Sequence, residues 1–145
     1  MNKIPLKQAL ALSALMGAVL GVLTLIPLAG KIAFFILLCF SSVIVIIFML
    51  RLGLTKKLSV TESVMLGALT GFIAFIAFCA VYLPAVFILG QVFRIYSLYG
   101  VYIVLKAGSF WIISVLVIFT GVLSAVINAF SAFLTSYLPE FGAKG

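Results

Sequence analysis

Apolar residues run through this chain in four long blocks, and the few charged residues fall between the blocks. The blocks are Gln8 to Ile26, Ile32 to Leu50, Ser63 to Leu83 and Ser109 to Leu134, and none holds a charged side chain. A helix rises about 1.5 Å per residue, so crossing ~30 Å of hydrocarbon takes about 20 apolar residues. Each block has that length. The pattern predicts an all-α membrane protein with four transmembrane helices in a single domain of residues 1–145. Pro27, Arg51, Pro84 and Pro139 follow the four blocks. Proline lacks an N–H and crowds the preceding turn, so the third span is read as 63–83, reaching at least Leu83 before Pro84.

The polar punctuation adds local detail. Ser59-Val60-Thr61-Glu62 opens the third block with the Ser-x-x-Glu spacing of a capping box. Ser59 would accept from the Glu62 amide and Glu62 would reach back to the Ser59 amide. This gives Glu62 a structural task at a helix start near the membrane surface, where a proton-carrying role has little to recommend it.

Small residues recur at helical spacing. Residues 13–21 read SALMGAVLG, and fifty residues later 63–71 read SVMLGALTG. Ser13, Gly17 and Gly21 share one helix face, as do Ser63, Gly67 and Gly71, with Thr24 and Ala74 extending the two faces. Lipid tails are as apolar as leucine, so helices in a bilayer associate through close packing of such small faces. A second echo, Leu28-Ala29-Gly30-Lys31 against Lys106-Ala107-Gly108-Ser109, precedes the second and fourth blocks. The chain therefore reads as two tandem parallel hairpins, residues 1–50 and 51–138, related by a pseudo-two-fold axis along the membrane normal. Equivalent helices then lie opposite one another, with Gly17 and Gly21 facing Gly67 and Gly71. The fourth block has its own small face at Gly121 and Ala125, continued by Ala129.

Between the third and fourth blocks lies an aromatic segment, residues 91–106, with Phe93, Tyr96, Tyr99 and Tyr102. Tyr and Trp favour the headgroup level. An interfacial helix is expected there, with Tyr82 and Trp111 at the same level; a re-entrant cover is the alternative.

Composition strengthens the membrane reading. Of 145 residues, 67% are hydrophobic and 8% charged, against about 25% charged in a soluble domain. Mean hydropathy is +1.50. The net charge of +7 is scattered in ones and twos, with no basic face for nucleic acid. It acts instead through the positive-inside rule. Lys3, Lys7, Arg51, Lys56, Lys57 and Lys144 fall on one side of the spans, and Lys31, Arg94 and Lys106 on the other. That bias places both termini in the cytoplasm and the chain in a plasma membrane of the bacterial inner-membrane type. Lys3 and Lys7 before an apolar run also resemble a signal peptide, but the run is long and no small-x-small site follows near Pro27, so the first span is expected to be retained.

The chemistry-bearing inventory is thin. There is no His and no Asp, the only acids are Glu62 and Glu140, and Cys39 and Cys79 form no CxxC pair. Zinc sites, carboxylate pairs, Ser/His/Asp triads and Gly-rich phosphate loops all lack their parts. No enzymatic activity and no cofactor or metal is expected. Two classes of function remain. The first is a non-catalytic helix-packing component or accessory subunit, whose partners are the lipid bilayer, copies of itself or other membrane subunits. The second is a passive pore or carrier for a small or apolar solute, working as an oligomer and lined by Ser41, Ser42, Thr70, Thr120 and Asn128. Asn128, the one strongly polar side chain deep in a span, has Ser124 and Ser131 beside it and needs a partner there, a helix-facing carbonyl or a serine, with Ser41 and Ser42 as candidates. The two readings differ in geometry: polar groups converging on a cavity favour the pore, and polar groups satisfied pairwise favour the packing component.

Overall fold

The computed structural model describes residues 6–56, 58–94 and 109–138. These form helices α1 (Leu6–Thr24), α2 (Gly30–Arg51), α3 (Val60–Gln91) and α4 (Phe110–Ser136), with no strand among the described residues. All four helices are long and apolar enough to cross a membrane. The protein is membrane-embedded, and its described secondary structure is all helical.

The third helix extends well beyond the span 63–83. It passes through Pro84 and ends at Gln91, 32 residues in all, or about 48 Å. Proline removes one rung of the helical ladder, but stopping in an apolar setting would strand several backbone groups at a cost of several kcal/mol each. The residues beyond Pro84 stay apolar, and Tyr82, Val86 and Gly90 are buried on one face. Tyr82 and Val86 share a core cluster with Ala33 and Leu37 of α2, so tertiary packing holds the extension. Tyr82 thus faces the inside of the bundle. Its ring stacks on Phe78 at 5.0 Å, and Phe78 meets Phe34 of α2 at 5.8 Å. Trp111 is exposed on α4.

The aromatic segment is described only at its start. Gln91 closes α3, and Val92, Phe93 and Arg94 are exposed, with Arg94 in the left-handed region at φ +53°. Residues 95–108 lie outside the described residues.

The helices pack as a rhombus. α2 and α3 share the short diagonal and touch each other and both remaining helices, while α1 and α4 occupy the far corners and do not meet. A two-fold relating α1 to α3 and α2 to α4 would require an α4–α1 contact to match the α2–α3 contact. The packing therefore lacks the symmetry expected of two equivalent hairpins.

Two apolar clusters fill the interior. One gathers Leu20, Leu37, Phe75 and Phe78 toward one end of the bundle. The other gathers Ala9, Val45, Met49 and Leu66, and it takes in Leu58 from the α2–α3 loop. The loop thereby tucks back under the bundle, next to the start of α3. That start has the expected capping box. The Glu62 amide donates to Ser59 Oγ at 3.3 Å, and the Ser59 amide donates to Glu62 Oε2 at 2.9 Å.

Candidate functional site

The polar side chains of the spans are concentrated where α4 meets α2 and α3. The inner stripe of α4 is Gly121, Ser124, Asn128, Ala132 and Thr135, all buried. The steps of three and four residues put these on one face of a helix. Asn128 is fully buried at its centre.

α3 makes room for it with glycine. A Cβ on Gly71 would lie 2.6 Å from the Asn128 Cβ and 2.9 Å from its Nδ2, and a Cβ on Gly67 would lie 2.5 Å from the Ala132 Cβ and 2.7 Å from the Asn128 carbonyl oxygen. A side chain at 71 would displace the amide, and one at 67 would push the main chain of α4 away.

On its other side Asn128 meets α2. Ser41 Oγ and the Ser42 amide each donate to Asn128 Oδ1 at 2.9 Å, and Ser42 Oγ donates to the Asn128 main-chain carbonyl at 2.9 Å. Asn128 Nδ2 donates to the Leu38 carbonyl at 2.8 Å and to the Ser124 carbonyl at 3.0 Å. An amide offers two donors and two acceptor sites, and all are used. Leu38 and Ser42 are four apart, so their C=O and N–H form one rung position of α2, and the Asn128 amide bonds to both ends of it. The network extends outward on both sides. Ser124 Oγ donates to the Gly71 carbonyl at 3.1 Å, and Ser131 Oγ donates to the Cys39 carbonyl at 2.7 Å.

The expected polar lining is thus divided. Ser41, Ser42 and Asn128 come together as a closed node. Thr70 turns onto its own helix, donating to the Gly67 carbonyl at 3.0 Å. Thr120 is half-buried and lies two turns from Asn128. None of the five lines either of the described open volumes. The described open volumes lie on the other side of the bundle, along the seam of α1 and α2. One, of about 430 Å³, is lined only by apolar side chains, among them Leu12, Leu15, Val19, Ile36, Ile44 and Phe48. The other, of about 400 Å³, adjoins it through Leu12 and Leu15 and reaches Gln8, Leu52 and Leu54.

The small faces are buried as a group but matched differently from expectation. Ser13, Gly17 and Gly21 on α1, and Ser63, Gly67 and Gly71 on α3, are all buried. Gly17, however, abuts the main chain of Ala74, and a Cβ on Gly21 would lie 3.2 Å from the Phe78 carbonyl oxygen and 3.3 Å from the Val81 Cβ. Gly67 and Gly71 face α4. Ala74 lies seven residues past Gly67, so α1 sits about 10 Å further along α3 than a glycine-to-glycine match would put it. The cause is occupancy: the Asn128 and Ser124 bonds fix α4 over Gly67 and Gly71, and α1 takes the next small position, Ala74. Ser13 donates to the Ala9 carbonyl at 2.7 Å, which satisfies its hydroxyl within α1. Ala125 is half-buried, beside the inner stripe of α4.

Sequence reasoning places Ser124 and Ser131 beside Asn128 on the fourth span but does not single out the Leu38, Gly71 and Cys39 carbonyls they bond. Main-chain carbonyls leave no mark in the residue pattern. Comparison with protein-family models, curated proteins and solved structures finds no match to this chain.

Proposed function

We propose that this protein is a non-catalytic membrane component, an accessory subunit whose work is helix–helix contact. One observation carries the reading: three of the five polar groups that a pore or carrier would present to a solute, Ser41, Ser42 and Asn128, are engaged with each other in a closed node. The residue inventory supports it, since there is no His or Asp and Glu62 is held in a helix cap. In the same reading the chain sits in a bacterial-type inner membrane with both termini cytoplasmic, by the positive-inside rule. The two Ser-x-x-x-Gly-Ala-x-x-Gly segments are then an internal duplication whose copies have drifted apart in packing. The partner is a second copy or another membrane subunit.

Native mass spectrometry of the protein extracted in its own bilayer tests this. A fixed stoichiometry with itself or with another membrane protein is expected. A chain that runs only as a monomer overturns the reading. So does solute flux through liposomes holding the purified protein alone.

A further inference from the structure

We propose that the seam between α1 and α2 is a binding site for one anionic glycerophospholipid. An acyl chain lies along the apolar groove, and the phosphate sits at the basic end formed by Lys7, Arg51 and Lys56. This is independent of the accessory-subunit reading.

The groove follows from the packing. α1 is drawn onto α3 through Gly17 and Gly21, and α2 is drawn onto α4 through the Asn128 node. Their shared seam stays open on the bilayer side. The two hollows there share Leu12 and Leu15, so they form one slot running from Leu20 to Gln8 along α1. Twelve residues of helix span roughly 18 Å, close to the ~15 Å of one hydrocarbon leaflet.

Size argues for a chain of methylenes. The hollows measure about 430 and 400 Å³. A helix about 10 Å across would fill roughly 1400 Å³ over the same length. The deep part of the slot is lined only by apolar side chains, and the first polar side chain, Gln8, appears at its mouth.

Charge argues for an anionic headgroup. α1 and α2 are antiparallel, so the start of one and the end of the other reach the same level. Lys7 adjoins Gln8, Arg51 adjoins Leu52, and Lys56 follows Leu54 by two residues; all three cations are exposed. Among the described residues the only acid is Glu62, whose carboxylate is bonded within the cap of α3. Basic clusters beside membrane helices recognise anionic headgroups through this excess of uncompensated charge.

The test places a fluorescent reporter in the slot. Phe48→Trp in a Trp111→Phe background, reconstituted in phosphatidylcholine vesicles, is titrated with acyl-brominated phosphatidylglycerol or with acyl-brominated phosphatidylcholine. Quenching by the anionic lipid is expected to exceed that by the zwitterionic lipid about fivefold or more in apparent affinity, the effect of at least one basic side chain near the surface. Adding Lys7→Gln, Arg51→Gln and Lys56→Gln, all at exposed positions, is expected to bring the ratio near one while circular dichroism stays unchanged. A second reporter, Phe119→Trp on the exposed face of α4, is expected to show no preference. Equal quenching at position 48, a preference that survives loss of all three cations, or the same preference at position 119 would each overturn the proposal.

Discussion

Ser42 donates twice to Asn128, from its amide to Oδ1 and from its hydroxyl to the main-chain carbonyl, each at 2.9 Å. One residue of α2 thereby fixes both the side chain and the backbone of one residue of α4. In lipid no water competes for these groups, and the pairing sets the depth and rotation at which the two helices meet. Interhelical bonds in membranes contribute only about 0.6 kcal/mol each on average. The node is nevertheless sensitive to truncation, because its members are buried and depend on the same amide.

Asn128→Ala is expected to destabilise the bundle by about 2 kcal/mol, within the range for leaving buried polar groups unsatisfied. Ser41 Oγ and the Leu38 carbonyl would lose their Asn128 partner. Equilibrium unfolding in mixed micelles, followed by circular dichroism, measures it. A loss below about 0.5 kcal/mol would show the node to be redundant.

The glycines of the bundle should differ in tolerance. Gly67→Ala drives a methyl onto the Ala132 Cβ and the Asn128 carbonyl oxygen, where main chain cannot yield. Overpacking of that kind costs roughly 1–3 kcal/mol. Gly121→Ala meets only the ring edges of Phe72 and Phe75, at 3.3–3.5 Å. Those rings can shift, and a cost below about 1 kcal/mol is expected. Parallel unfolding curves for the two variants decide it.

The spans were legible because lipid imposes length and apolarity on any crossing helix, and four blocks met both conditions. Asn128 was legible for the same reason: a strong polar group at that depth requires a partner, and Ser41 and Ser42 lay at matching depth in the second block. The end of α3 was not. Pro84 is a local signal, and the contacts of Tyr82 and Val86 with α2 that override it are tertiary. The match between small faces was not legible either. Gly17, Gly67 and Gly71 announce that something packs closely, but the spacing does not say which helix; the Ser124 and Asn128 bonds decide that from α4.

The cap of α3 gives a local prediction. Ser59→Ala is expected to cost about 1 kcal/mol, because the side chain that accepts from the Glu62 amide is lost. Glu62→Gln keeps a side chain that can reach the Ser59 amide and should cost less. Hydrogen exchange at the amides of residues 60–63 should quicken in the first variant and change little in the second.

Sidedness is open to a direct measurement. With Cys39 and Cys79 replaced by alanine, Lys56→Cys and Arg94→Cys should label from opposite sides of the membrane. The charge bias predicts labelling at 94, and none at 56, by an impermeant maleimide added outside intact cells. The reverse pattern would invert the topology.

The register of α1 on α3 separates the observed packing from a symmetric one. A Cβ at position 21 lies 3.3 Å from the Val81 Cβ, just under the ~3.5–4.5 Å that a disulfide spans. In the same cysteine-free background, Gly21→Cys with Val81→Cys is expected to cross-link within one chain on mild oxidation. Gly21→Cys with Gly71→Cys is expected not to, since Gly71 is covered by Asn128 and Ser124 of α4. A two-fold bundle with facing glycines predicts the opposite pair. Gel mobility under non-reducing conditions, with and without thiol, reads the outcome, and a 21–71 cross-link within one chain would restore the symmetric arrangement.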